Sequence, residues 1–186
     1  MELTLIRHPR PAAPEDACIG QLDPECAPGW EAHVERLRRI LARPDRLYTS
    51  PSRRCRALAG RLAITHRLTP EVDPRLLELN FGEWEGRLWR DIGAAAETVA
   101  ADYLDRAPPG GECYRDLMAR TEEFVADLDP STGRIAVVTH AGPIRSLLVH
   151  CLGLPPAAGG RFDVGFGRVT RLAGHGRTWR LEVLNA

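Results

Sequence analysis

Leu3-Thr4-Leu5-Ile6-Arg7-His8 and Arg134-Ile135-Ala136-Val137-Val138-Thr139-His140-Ala141-Gly142 are two apolar runs that each lead to a histidine. Such runs read as central strands of a parallel sheet, buried on both faces. Ligands of open α/β sheets bind outside the carboxyl ends of those strands. Two imidazoles delivered to that edge, one beside Arg7, suggest a site that handles phosphate.

Outward from these runs, residues 9–28 lack periodicity and read as an irregular loop. Val34, Leu37 and Leu41 share one face of a helix predicted over Trp30–Leu41. Arg46–Thr49 reads as a short strand, followed by a helix with Ser50 as N-cap and Pro51 in its first turn. A short strand is expected near Glu71-Val72. The aromatic and acidic stretch Leu76–Asp91 has no clear period. Helices are expected over Ala94–Leu104, Glu112–Leu128 and Pro143–Leu152, and the tail reads as two paired edge strands, Arg168–Leu172 and Trp179–Val183. Alternating strands and helices predict a three-layer α/β/α sandwich, its central sheet mainly parallel with an antiparallel edge.

The chain has 186 residues and is 44% hydrophobic, enough for one cored domain. Twenty-five basic residues balance 25 acidic ones, which argues against general nucleic-acid or membrane binding. Every basic residue is arginine, which excludes Schiff-base lysine chemistry. Five cysteines without a C-x-x-C pair, and an amino terminus that does not read as a signal peptide, predict a cytoplasmic protein with reduced thiols. No stretch approaches transmembrane length. The sequence indicates no oligomer, although the tail strands offer an edge for pairing.

Four pieces carry the chemistry. Arg7-His8 is the first. Thr139-His140-Ala141-Gly142-Pro143 opens a helix, and free amides at such a terminus suit an anion. In Ser50-Pro51-Ser52-Arg53-Arg54-Cys55-Arg56, Arg54 is the guanidinium expected at the site, where its planar fork matches phosphate oxygens, while Arg53 and Arg56 read as solvated. Glu78 lies between apolar residues, and partial burial there favours a protonated carboxyl that can serve a leaving group. Glu83 and Glu85 read as surface or structural residues, and Phe81 and Trp84 as core.

Together these pieces resemble the histidine phosphatase superfamily, the phosphoglycerate-mutase-like proteins. Arg7-His8, Ser50–Arg54, Glu78 with Phe81–Gly86, Pro109–Glu112 and Val138–Arg145 follow the family's motifs in order. The resemblance implies one domain over residues 1–186, with residues 76–112 as a small cap over the site. It implies a nucleophile in His8, an acid in Glu78, and a clamp of Arg7, Arg54 and His140, with His140 as imidazolium among carboxylates. The amides of Ala141 and Gly142 are implied phosphate ligands. Arg10 is a candidate substrate contact, and Arg145, one helical turn past the site, is a candidate either for a substrate contact or for an inward pair with a carboxylate. No cofactor or metal is implied, and the expected partner is a small phosphomonoester.

The chain looks most similar to the α-ribazole phosphatase branch of cobalamin biosynthesis, on Phe81–Gly86, Pro109–Glu112 and Cys18–Asp23. Phosphoglycerate mutase-type transfer, a protein-phosphohistidine phosphatase and a weakly active phosphate-binding or regulatory module are the alternatives. Pro9 stands where the family usually has glycine. It offers no N–H, so a phosphate ligand is expected to be lost there or replaced by Arg10.

Overall fold

A computed structural model of the chain describes residues 1–175 and 178–186. Six strands form one sheet: β1 (Glu2–Arg7), β2 (Arg46–Thr49), β3 (Glu71–Val72), β4 (Arg134–Thr139), β5 (Val169–His175) and β6 (Thr178–Val183), in the order β3-β2-β4-β1-β5-β6. The pairs β1–β4, β4–β2 and β2–β3 are parallel, and β5 and β6 add the antiparallel edge.

Alternation along β1 and β4 divides the core in two. Leu3, Leu5, Ile135 and Val137 pack against α5 (Tyr114–Ala126) and α6 (Ala141–Cys151). Ile6, Ala136 and Val138 pack on the other face against α1 (Glu31–Ile40) and α2 (Arg53–His66). Both faces of these strands are covered by helices, the physical reason for their unbroken apolar runs. The expected three-layer sandwich is therefore present.

The chain leaves β1 through α1 toward β2, whereas it leaves β4 through α6 on the opposite face toward β5. The crossovers diverge between β1 and β4, which makes their carboxyl ends a topological switch point. Arg7 is the register partner of Thr139, so His8 and His140 emerge side by side.

Two expectations are corrected locally. Ser50 is not the cap of α2; its amide donates to the Val138 carbonyl at 2.9 Å, which keeps it in the sheet ladder, and Ser52 holds the N-cap position. Helix α6 starts at Ala141 rather than Pro143, which is tolerated because a first-turn proline forgoes an amide with no helical partner. The stretch without a clear period forms single 3₁₀ turns at Pro74–Leu76 and Gly82–Trp84, then α3 (Trp89–Ile92). The helix expected over Ala94–Leu104 is shorter, α4 (Ala94–Ala100). Trp84 is buried with Cys18 and Ile92 in a third apolar cluster, against which Phe81 and Trp89 pack.

Candidate active site

His8 lies just past β1 and is 4% exposed. Its Nδ1 stands 2.6 Å from the Pro9 carbonyl oxygen, which can only accept, so Nδ1 carries the proton. Nε2 is left with its lone pair, and Arg54 Nε donates to it at 3.3 Å. Pro9 thus performs with its carbonyl a task that its missing N–H does not touch. Burial, followed by the Arg54 charge, holds the imidazole well below its ordinary pKa of 6.5. It is a neutral base pointed at the site.

His140 has no exposed surface, and its ring centroid is 4.8 Å from that of His8. Arg54 Nη2 lies 3.1 Å from Nδ1 and can only donate, so the proton sits on Nε2 and is donated to Ser50 Oγ at 2.8 Å. The expected imidazolium among carboxylates is corrected: among the described residues no carboxylate pairs with the His140 ring, whose hydrogen-bonding neighbours are Arg54, Ser50 and Cys55. Burial comes first, then His8, Arg54, Arg120 and Arg7, and together they push His140 well below 6.5. A phosphate dianion would reverse that balance by supplying the missing negative charge.

Arg54 is 1% exposed and joins the two rings. It also donates through Nη1 to the Leu22 carbonyl at 2.8 Å and through Nη2 to the Gly20 carbonyl at 2.6 Å. Asp23 is 3.8 Å away, beyond hydrogen-bond reach. The Gly20–Leu22 loop is held in turn by Glu85, whose carboxylate accepts the amides of Gly20, Gln21, Leu22 and Phe81 at 2.8–3.1 Å. A Cβ on Gly20 would collide with the Leu79 carbonyl and the Glu85 carboxylate, so only glycine fits there. Glu85 is therefore structural, two steps from the histidines.

Arg7 reaches the Val164 carbonyl through Nη1 at 2.5 Å, and its guanidinium lies 3.7 Å from the Phe166 ring centroid. Burial pushes its pKa down to about 10, opposed by the Glu78 charge, and it remains a cation at neutral pH. Phe166 also packs on His8, with centroids 5.6 Å apart. Nothing in the sequence marked this residue, because it comes from the loop before β5.

Glu78 faces the same cavity. Its carboxylate accepts the Leu79 amide at 3.0 Å and the Gly142 amide at 3.1 and 3.3 Å. Gly142, expected at the phosphate, thus donates to the acid instead, and a Cβ there would strike Glu78 Oε1. Arg120 fixes the backbone beneath, donating to the carbonyls of Arg75, Leu77 and Glu78 and pairing with Glu112 at 2.6 Å. Ala141 and Arg145 line the cavity; Arg145 Nε donates to the Phe162 carbonyl at 3.1 Å, and no carboxylate pairs with it among the described residues. Arg10 sits at the rim, paired with Glu15 at 3.2 Å.

The two neutral imidazoles carry a stability signature. In the unfolded chain each titrates near 6.5, and in the fold each titrates well below it. The unfolded state then binds more protons below 6.5, so stability is full above that pH and falls as pH drops toward the folded values. Each histidine contributes a slope of up to about 1.4 kcal/mol per pH unit. Thermal unfolding between pH 7 and 5 measures this, and His8→Asn is expected to remove its share of the slope.

A parallel-sheet edge that brings two imidazoles and two guanidinium groups to one place defines an α/β protein built for phosphoryl groups. A family model described as the histidine phosphatase superfamily (branch 1) matches residues 3–186. The glucosyl-3-phosphoglycerate phosphatase of Mycobacterium tuberculosis is 31% identical over 90% of this chain and 86% of its own. The adenosylcobalamin/alpha-ribazole phosphatase of Salmonella typhimurium is 33% identical over 64% of this chain and 62% of its own. The crystal structure of the alpha-ribazole phosphatase from Shigella flexneri superposes with a TM-score of 0.92 at 25% identity, covering 100% of this chain and 96% of that one. The chain belongs to branch 1 of the histidine phosphatase superfamily, and it is a phosphatase acting on a small phosphorylated metabolite.

Proposed function

We propose that the chain hydrolyses a phosphomonoester through a phosphohistidine on His8. The observation that carries this reading is the His8 ring itself, its Nδ1 proton pinned by the Pro9 carbonyl and its Nε2 lone pair turned to the Arg54 side. Nε2 attacks phosphorus in line, and the bond to the leaving oxygen breaks. Glu78 gives that oxygen a proton, then takes one from the water that releases phosphate and restores His8. Arg7, Arg54, the Ala141 amide and His140, protonated at Nδ1 once the dianion is seated, hold the equatorial oxygens where transition-state charge spreads. Gly142 steers Glu78 rather than the phosphate. Residues 76–112 act as a small cap, supported by Phe81, Trp89 and Tyr103 on the cavity wall.

At the level of substrate, two readings follow the relatives. Phe81–Gly86, Pro109–Glu112 and Cys18–Asp23 support an α-ribazole phosphate-type ester. The longer shared length supports a glucosyl-3-phosphoglycerate-type ester. A phosphomonoester panel, scored for released phosphate and for isomerised product, separates these from each other and from mutase-type transfer.

Glu78→Gln tests the acid. Its kcat on an alkyl phosphate is expected to fall about 10²–10³-fold. On p-nitrophenyl phosphate, whose leaving group departs without a proton, the loss is expected to stay near or below about tenfold. Equal losses on both esters would place the limiting role of Glu78 in the hydrolysis of the phosphohistidine, and no loss on either would remove Glu78 from proton transfer.

A further inference from the structure

Phe166 packs in none of the three apolar clusters and stands half-buried on the cavity wall. Its ring meets the Arg7 guanidinium at 3.7 Å, the Arg10 guanidinium at 5.1 Å and the His8 ring at 5.6 Å. Arg10 has its own counter-charge in Glu15 at 3.2 Å. Arg7 is held differently. Among the described residues no carboxylate pairs with it, Nη1 donates to the Val164 carbonyl, and Nε is buried without a partner. One carbonyl and the Phe166 face are what hold this guanidinium in place.

The loop that carries the ring also grips the backbone of the site. The Gly167 amide is shared by the carbonyls of Arg7 and His8 at 3.0 and 3.1 Å, and the Arg7 amide donates to the Arg168 carbonyl at 3.1 Å. The loop is latched in turn from beyond β6. Asn185 accepts the Gly165 amide through Oδ1 at 2.6 Å and donates through Nδ2 to Asp163 Oδ2 at 2.8 Å. Val169 and Ala186 exchange amide-to-carbonyl bonds at 3.0 Å beside it. Asn185 has φ +57°, a left-handed conformation that asparagine tolerates.

A carboxylate set against Arg7 would orient it but cancel its charge. An aromatic face attracts the cation through the ring quadrupole, most strongly where water is scarce, and leaves the charge free for an incoming anion. Charge fixed in this way acts on a transition state without reorganising. We propose that Phe166 is a positioning residue for the phosphatase reaction, its ring setting the Arg7 guanidinium at the phosphoryl end, and that Asn185 latches the loop presenting that ring. The proposal rests on the reading above for Arg7 as a phosphate ligand.

The test reads the Kd of inorganic phosphate by calorimetry, since phosphate carries no leaving group, beside hydrolysis of p-nitrophenyl phosphate. Phe166→Leu keeps an apolar side chain and removes the aromatic face. It is expected to raise the phosphate Kd about tenfold and lower kcat/KM about tenfold, while Phe166→Tyr stays within about threefold of wild type on both. In an Arg7→Met background the same Phe166→Leu change is expected to raise Kd less than about threefold, because the ring acts through the cation it holds. Asn185→Gly accepts the left-handed backbone and deletes the carboxamide, and should raise Kd about threefold. Equal effects of Phe166→Leu with and without Arg7 would make the ring plain packing and overturn the platform. A loss on the ester with Kd unmoved would place the ring under the leaving group and overturn it too. If Arg7→Met itself leaves Kd and turnover unchanged, the reading of Arg7 fails and the platform with it. An unmoved Kd in Asn185→Gly removes the latch alone.

Discussion

His8→Ala is expected to lower kcat on any phosphomonoester by about 10⁴–10⁶-fold, the scale of loss when a covalent nucleophile is removed. The change empties one imidazole from a buried site and leaves Arg54 Nε without its acceptor. The remaining contacts of Arg54 to Gly20, Leu22 and His140 are untouched, so the site's frame is expected to persist. The diagnostic measurement is trapping. Wild-type protein mixed with radiolabelled ester and quenched should retain phosphate on nitrogen, labile in acid and stable in base. His8→Ala should retain none. Activity that survives the substitution, or label recovered on another residue, would move the nucleophile away from His8.

Arg54→Met is expected to lower kcat/KM by about 10³–10⁴-fold, because a preorganised guanidinium in a water-poor site acts on transition-state charge without reorganising. Arg54 spans both histidines and two carbonyls at once. Arg54→Lys should therefore rescue little: one ammonium is a point charge and cannot fill four positions in a plane. Binding gives the independent readout. Inorganic phosphate should raise the melting temperature of the wild type and leave that of Arg54→Met unmoved, since stabilisation follows the ligand's affinity for the folded state. Glu85→Gln probes the same guanidinium from a distance. Its amide cannot accept all four backbone N–H groups, so the loop carrying the Gly20 and Leu22 carbonyls should loosen, and kcat should fall with less effect on KM. A Glu85→Gln protein with unaltered kcat would disconnect the loop from Arg54.

The gathering of His8 and His140 at one edge was legible because two apolar runs read as buried parallel strands, whose carboxyl ends share an edge; that the two strands are neighbours came from the β1–β4 pairing. Arg54 was legible because an arginine just inside a helix that follows a strand is carried to the same edge. Ser50 was misread: its type suits a cap, and only the ladder bond to Val138 keeps it in the sheet, where its hydroxyl meets His140 Nε2. Gly142 was misassigned because a free amide at a helix start looks like an anion ligand whether the anion is a phosphate or the carboxylate of Glu78. Phe166 and Arg120 gave no signal. Each lies far along the chain from the group it supports, and neither type is unusual at its position.

By itself, then, the sequence determined the layered sheet, the edge where chemistry collects and the residue types gathered there, since hydrophobic period and strand endings are local properties of the chain. Protonation was decided only in three dimensions. The neutral state of both imidazoles, the proton on His8 Nδ1 and the proton on His140 Nε2 depend on burial and on partners contributed by Pro9, Arg54 and Ser50. Desolvation and hydrogen-bond direction exist only once distant segments are packed together, which is why no order of residues along the chain could have stated them.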